Sequence, residues 1–337
     1  MSQPKAVLVI GVGSIGERHV RCFQKTGRAR LSVCEIDPQL RGRIAEQYGI
    51  ERSYANLESA LSDAHDAAVI ATPAHLHVPM AAWLAKAGNH LLIEKPLSTS
   101  LHGIEGLEPM LQSRNLVAAV AYVLRHHPAL GAMKEVIDAG RFGRPVQLVA
   151  CGGQHFPTYR PAYREIYYRD RTTGGGAVQD ALTHLINAGE WLVGPVDRLV
   201  ADAAHQVLEG VEVEDTVHLL TRQGDLLGSY SLNQYQAPNE LTITVVCEEG
   251  TARFEGHRQR WLWMARPDEP WHEEPAGDLN RDDLFIAQAN AFLDAVEGRT
   301  PPVCSLEEGL QTLRCNLAVL ASSEHGTWET VREESSA

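Results

Sequence analysis

The chain is 337 residues long, which predicts about two domains at ordinary domain sizes. Acidic residues outnumber basic ones by 43 to 30, for a net charge of −13; this argues against a general nucleic-acid binder, which needs a basic face, and against adhesion to an anionic membrane. The longest apolar run, residues 116–124, falls short of the ~20 residues of a membrane helix, and no leader pattern precedes the first strand-like run, so the expected compartment is the cytoplasm.

Strand and helix signals alternate through the first third of the chain. Strands are expected at residues 6–10, 31–35, 67–72, 90–94 and 116–121. Helices are expected at 14–26, stopped by Gly27, at 38–48 with Pro38 in the first turn, and at 75–86, ending before Gly88. This alternation predicts a parallel sheet with helices on both faces. After Tyr122 the pattern changes. Residues 146–168 are rich in strand formers, glycine and aromatics, and Gly174, Gly175 and Gly176 open a helix running to about Leu192. Alternating segments at 199–207, 215–222, 226–232, 241–247 and 251–254 predict a largely antiparallel sheet. Two late helices, at 282–297 and 306–322, precede a polar tail expected to fray after Trp328. The fold class is therefore α/β: a doubly wound parallel sheet over 1–123, then an α/β domain over 124–330 with a large, mostly antiparallel open sheet. The six cysteines form no CxxC pair and read as buried small hydrophobes, with no metal site.

Residues 11–16 spell Gly-Val-Gly-Ser-Ile-Gly. This GxGxxG follows an apolar strand and opens a helix, the context in which it binds a dinucleotide. Gly11 makes the turn, Gly13 admits the pyrophosphate, Gly16 lets helix and strand close, and the amides around Ser14 and Ile15 face the phosphates. Glu35 follows the next strand, 19 residues after Gly16. A carboxylate there binds the adenosine ribose hydroxyls and repels a 2′-phosphate, favouring NAD over NADP. Asp37, past the strand beside Pro38, is the weaker alternative. Thr72, Pro73 and His77 lie after the third strand, at the ligand-binding rim of such a sheet. The same residues also fit a strand end and a helix start. Glu94 and Lys95, before Pro96, end the next strand; an ammonium there could stabilise an alkoxide, although the pattern fits a surface lysine equally. Asp180 and His184 stand four apart on one predicted helix, a carboxylate near a candidate general base. Glycines 174–176 would let that chain pass close to a ligand.

Taken together and in order, the Rossmann start, Thr72-Pro73 with His77, Glu94-Lys95-Pro96, Tyr122 with Arg125 and Pro128, and Gly174–Gly176 with Asp180 and His184 resemble the Gfo/Idh/MocA oxidoreductase family. The resemblance covers nearly the whole chain. It implies an NAD(P)-dependent dehydrogenase acting on a CH–OH group of a sugar, cyclitol or related polyol. It also implies a homodimer or homotetramer built on the open sheet. Lys95 matches the family's catalytic lysine, in a peptide that is often cis before Pro96. His184 matches its general base, and Asp180 the carboxylate that supports that base or binds substrate. Glu94 and Lys95 join the cofactor set, and Tyr122 and Arg125 the substrate set. Two departures stand out. Asn187 replaces an aspartate common three residues past the histidine, and Val123-Leu124 replaces an asparagine between Tyr122 and Arg125. Residues 154–164 are similar to a Pro-aromatic loop of one family branch. The segment continues to Tyr167, Tyr168, Arg169 and Arg171; its four arginines, Arg160, Arg164, Arg169 and Arg171, could hold an acidic or phosphorylated sugar, or Tyr159 and Tyr163 could stack on a sugar ring; a solvated loop fits as well. Two other classes share these motifs: a redox-neutral NAD-dependent glycosidase and a non-enzymatic NAD-responsive regulator.

Overall fold

The computed structural model describes residues 3–331. In chain order the elements are β1 (Lys5–Ile10), α1 (Ser14–Thr26), β2 (Ala29–Cys34), α2 (Pro38–Tyr48), β3 (Ser53–Tyr54), α3 (Leu57–Ala60), β4 (Ala67–Ile70), α4 (His77–Lys86), β5 (His90–Ile93), α5 (Leu107–Ser113) and β6 (Ala118–Val120). There follow α6 (Pro128–Asp138), β7 (Pro145–Gly153), the single turn α7 (Phe156–Tyr159), α8 (Thr183–Val193), β8 (Arg198–Ala204), β9 (Thr216–Gln223), β10 (Leu226–Asn233), β11 (Glu240–Cys247), β12 (Gly250–Glu255), β13 (Arg260–Met264) and β14 (His272–Pro275). The last are α9 (Asp283–Val296), α10 (Leu306–His325) and β15 (Glu329–Thr330).

The chain divides into two compact units, one of residues 1–123 with 280–309, the other of residues 124–279 with 310–337. The first carries an all-parallel sheet of order β3-β2-β1-β4-β5-β6, with its strand reversal between β1 and β4. Ligands bind such sheets beyond the carboxyl ends of the strands, at that reversal. Val7, Val9, Val69 and Leu92 build its core with Val20 and Phe23 of α1.

A continuous split near residue 123 misses the return of 280–309 to the first unit. Side-chain chemistry explains the return. Phe23 of α1 meets Phe292 of α9 edge-on, with ring centroids 6.3 Å apart. Arg21 donates a fork of hydrogen bonds to Asp282, Nε to Oδ2 at 2.6 Å and Nη2 to Oδ1 at 2.9 Å. Arg28 donates to Asp294 at 2.8 Å and to Glu297 at 3.1 Å. These partners lie more than 250 positions apart in sequence, beyond any local pattern.

The second unit holds a sheet of order β14-β13-β12-β11-β7-β10-β9-β8-β15. All its neighbours are antiparallel except β7 and β10, which run parallel. Helices α6, α8 and α10 cover one face, with Leu130, Met133, Ile186 and Val319 in the core. The opposite face presents Val149, Leu220 and Leu227 to solvent. Strands β13 and β14 were not expected from the sequence. Nor was β15: Glu329 and Thr330 pair with Leu199 and Arg198 of β8, so the expected fraying does not begin at Trp328. The tail beyond residue 331 lies outside the described residues. No helix among the described residues is long and apolar enough to cross a membrane. All six cysteines are free, five buried and Cys151 half-buried.

The Asp282 fork should carry measurable stability. Hydrogen bonds from Arg21 hold this carboxyl down at about 2, well below an unfolded aspartate. Its stabilisation is therefore present above the unfolded pKa and lost as pH falls towards that folded value. Asp282→Asn should cost about 1–2 kcal/mol near neutral pH, and the difference from wild type should close on acidification. Urea unfolding at several pH values measures this.

Candidate active site

In the first unit, the candidate cofactor site is built at the end of β1. Gly11 has a φ of 77°, a left-handed turn that suits glycine. A Cβ on Gly16 would stand 1.8 Å from the Gly11 carbonyl oxygen, so α1 can close on β1 only without a side chain there. The Gly13 N-cap of α1 uses no side-chain acceptor, and a Cβ built on it meets nothing within 4 Å. The first amides of α1, at Ser14 and Ile15, thus face open space with the positive end of the helix dipole, as an anion site requires. Glu35 stands beside this turn. Its Oε2 accepts from the Val12 amide at 2.9 Å and its Oε1 from Asp37 at 3.1 Å. Asp37 itself caps α2, accepting from the amides of Gln39 and Leu40 at 2.8 and 3.2 Å. This geometry fits a dinucleotide: open amides for a pyrophosphate and a fixed carboxylate for ribose hydroxyls.

Beyond β4, Thr72 packs its methyl near Gly11 and donates its hydroxyl to Met80 Sδ at 3.6 Å, while Pro73 is exposed. His77 is 1% exposed, with Nδ1 3.0 Å from the Pro96 carbonyl and Nε2 2.7 Å from the Thr72 carbonyl. Both nitrogens are engaged by main chain, so the expected cofactor contact gives way to a structural one. Glu94 is likewise enclosed, 5% exposed, against His19 Nε2 at 2.7 Å. Burial pushes its carboxyl up, but the His19 bond and the nearby Lys95 charge outweigh this and hold it below the ordinary range. Lys95 follows, half-buried at the carboxyl end of β5, in a cis peptide with Pro96. Tyr122 is 1% exposed just after β6.

The candidate acid–base residues lie in the second unit. A π turn over Val178–Leu182 leads into α8. Such wide turns often mark functional sites, and helical spacing does not reveal them. Asp180 sits in this turn with its side chain 2% exposed. Tyr167 donates to its Oδ1 at 2.6 Å, and Arg160 Nη1 lies 3.8 Å from the same oxygen. Burial, reinforced by the Asp180 charge, pushes the Tyr167 hydroxyl well above its ordinary pKa, so it stays protonated as a donor. His184 is half-buried in the first turn of α8. Asn187 is committed elsewhere: its Oδ1 accepts from Arg125 Nε at 2.9 Å and its Nδ2 donates to Thr312 at 3.0 Å. Arg125 is therefore held inside the unit, 6% exposed, rather than presented at a surface.

The triple glycine serves packing here. A Cβ on Gly175 would lie 2.2 Å from the Tyr168 carbonyl oxygen. One on Gly176, whose φ is 88°, would lie 2.4 Å from Glu214. Buried Glu214 accepts from the Val178 amide at 3.1 Å and from Arg171 Nε at 2.7 Å, anchoring the start of the π turn. The preceding loop divides similarly. Tyr163 is 2% exposed, packed with Phe156 and Tyr168, and donates to the Glu209 carbonyl at 2.7 Å. Its ring and hydroxyl are both used, which corrects the sugar-stacking reading. Arg164 donates to that same carbonyl at 2.8 Å. Tyr159 is the exposed aromatic of the loop. Sequence reasoning missed His19 and Glu214, and placed Tyr167 in the loop without its bond to Asp180, because these partners are not local in the chain.

Two family models match this chain: one described as an oxidoreductase family with an NAD-binding Rossmann fold, over residues 5–122, and the GFO/IDH/MocA C-terminal domain, over residues 131–253. The chain belongs to the Gfo/Idh/MocA oxidoreductase family. It is an NAD-dependent oxidoreductase, and residues 5–122 match the family's NAD-binding Rossmann fold. A levoglucosan dehydrogenase of Pseudarthrobacter phenanthrenivorans is 25% identical, covering 96% of this chain and 97% of the relative. An NAD-dependent scyllo-inositol 2-dehydrogenase of Bacillus subtilis is 31% identical over 41% of each chain. A solved levoglucosan dehydrogenase in complex with NADH and levoglucosan shares the fold, with a TM-score of 0.90 at 23% identity over 98% of this chain and all of that one.

Gly16→Ala should abolish NAD binding, because the added methyl cannot coexist with the Gly11 carbonyl. Calorimetric titration with NAD checks this, with far-ultraviolet circular dichroism as the control for folding.

Proposed function

We propose that this oxidoreductase acts on a secondary alcohol of a sugar, cyclitol or closely related polyol. The observation that carries the reading is the placement of Lys95. It ends β5 on the same strand-end rim that carries the Gly11–Gly16 turn and Glu35, in a family of NAD-dependent enzymes whose named relatives act on levoglucosan and scyllo-inositol. NAD bound at that rim supplies the hydride acceptor.

The chain's own residues supply position and proton transfer. The open amides of α1 hold the pyrophosphate, and Glu35 takes the adenosine ribose. Glu35 faces a 2′-phosphate with like charge, which supports NAD over NADP. Lys95 offers a cation to the alcohol oxygen and stabilises charge that develops there. His184 accepts the hydroxyl proton as general base. Asp180, supplied with a hydrogen bond by Tyr167, orients the base or a neighbouring hydroxyl. Arg160 and exposed Tyr159 belong to the same loop and are assigned to the rest of the polyol. The exposed sheet face around Val149, Leu220 and Leu227 supports a homo-oligomer. An NAD-linked reaction and six free cysteines support a cytoplasmic setting.

Screening NAD and NADP against sugars, cyclitols and sugar acids, followed by reduced-nicotinamide absorbance, tests the reading. NAD should be reduced with one substrate group, and Lys95→Ala should remove most of that turnover while NAD affinity stays near wild type. Equal loss of both would contradict the role given to Lys95. Tyr167→Phe should lower kcat by about 10-fold with the KM for NAD little changed, since it removes a donor from Asp180 and nothing from the cofactor half.

A further inference from the structure

Two histidines of the first unit are buried around the turn that carries Lys95. His19, on α1, is 1% exposed and bonds the Glu94 carboxylate, Nε2 to Oε1, at 2.7 Å. The other oxygen of that carboxylate, Oε2, accepts from the Lys95 amide at 3.0 Å. One buried carboxylate thus joins α1 to the backbone of Lys95. His77, on α4, reaches the far side: Nδ1 lies 3.0 Å from the Pro96 carbonyl and Nε2 2.7 Å from the Thr72 carbonyl. A neutral imidazole donates to one of these carbonyls and an imidazolium to both. Residues 94–96 are therefore tied through Glu94 to the helix that opens on the cofactor phosphates, and the His77 ring is wedged between the Pro96 and Thr72 carbonyls on the other side.

A buried carboxylate left without a partner is costly, so such a pair persists only with good geometry. Here the geometry serves the lysine. His19 is edge-on to Phe285, at 6.0 Å between ring centroids, which fixes the imidazole plane from the α9 side. We infer that His19 and His77 are positioning residues for Lys95, with Glu94 as the link through which His19 acts. Both imidazoles are buried within the first unit. Their effect is to hold the Lys95 ammonium where an alcohol oxygen develops charge, where a misplacement of about 1 Å can cost about 100-fold in rate.

The inference rests on the catalytic assignment of Lys95, and the experiment separates the two. Full-length His19→Leu keeps the apolar packing but offers Glu94 no donor; His19→Gln restores a donor. With the substrate found by screening, His19→Leu should lower kcat by about 10–100-fold with the KM for NAD within about threefold of wild type, and His19→Gln should recover most of the rate. His77→Leu and His77→Gln should divide in the same way. Independently of turnover, acetic anhydride labelling read by mass spectrometry should show Lys95 acetylated faster in His19→Leu than in wild type or His19→Gln, relative to Lys5, Lys25, Lys86 and Lys134. If His19→Leu does not fold, His19→Leu with Glu94→Gln, which removes the stranded charge, should show the same loss of kcat. Equal rates in the Leu and Gln variants, or unchanged Lys95 labelling, would overturn the inference. If wild type oxidises no polyol, the assignment of Lys95 fails instead, and labelling alone still reports whether the histidines hold the turn.

Discussion

The first unit depends on one close approach, that of Gly16 on α1 to the Gly11 carbonyl at the end of β1. Any side chain at position 16 would push the helix off the sheet. With the helix seated, three things follow from its own residues. Its first amides carry no side-chain cap, the arrangement an anion site requires. His19, one turn on, meets Glu94 under the turn that holds Lys95. Arg21 and Phe23, further along, bind the returning helix α9. Cofactor binding, lysine placement and the closure of a discontinuous unit therefore share one helix and one steric condition.

The second unit solves a different problem, the burial of carboxylates. Glu214 and Asp215 lie almost wholly inside. Glu214 is answered by the Val178 amide and Arg171, and Asp215 by the amides of Gln206, Val207 and Leu208 with the Thr216 hydroxyl. Glu190 gathers donors from Gln311, Thr312, Cys315 and the Val196 amide, and burial still raises its pKa. Asp180 belongs to this series through Tyr167.

Much of this was legible in the sequence where the determinants are local. The first helix spans Ser14–Thr26 because Gly13 and Gly27 bracket it, and the second spans Pro38–Tyr48 because Asp37, Pro38 and Gly49 do. Glu35 and Lys95 could be placed at strand ends because the alternation of strands and helices is local. What escaped was non-local. The return of 280–309 rests on pairs such as Arg28 with Asp294. The short strand β15 exists only because β8 offers an edge. The glycines at 174–176 looked like ligand contacts because Glu214 and the Tyr168 carbonyl cannot be read as their neighbours from spacing. His77 and Tyr163 have residue types suited to a site, and only their burial shows that both already have work elsewhere.

Net hydride transfer from a substrate carbon to the nicotinamide can be followed with a polyol deuterated at the reacting carbinol carbon, incubated with the enzyme and NAD, the nicotinamide product then being read by NMR. Deuterium is expected at the nicotinamide ring in amounts matching oxidised polyol. Turnover of a glycoside with the deuterium kept in the sugar product and no labelled reduced cofactor would contradict it and establish redox-neutral chemistry.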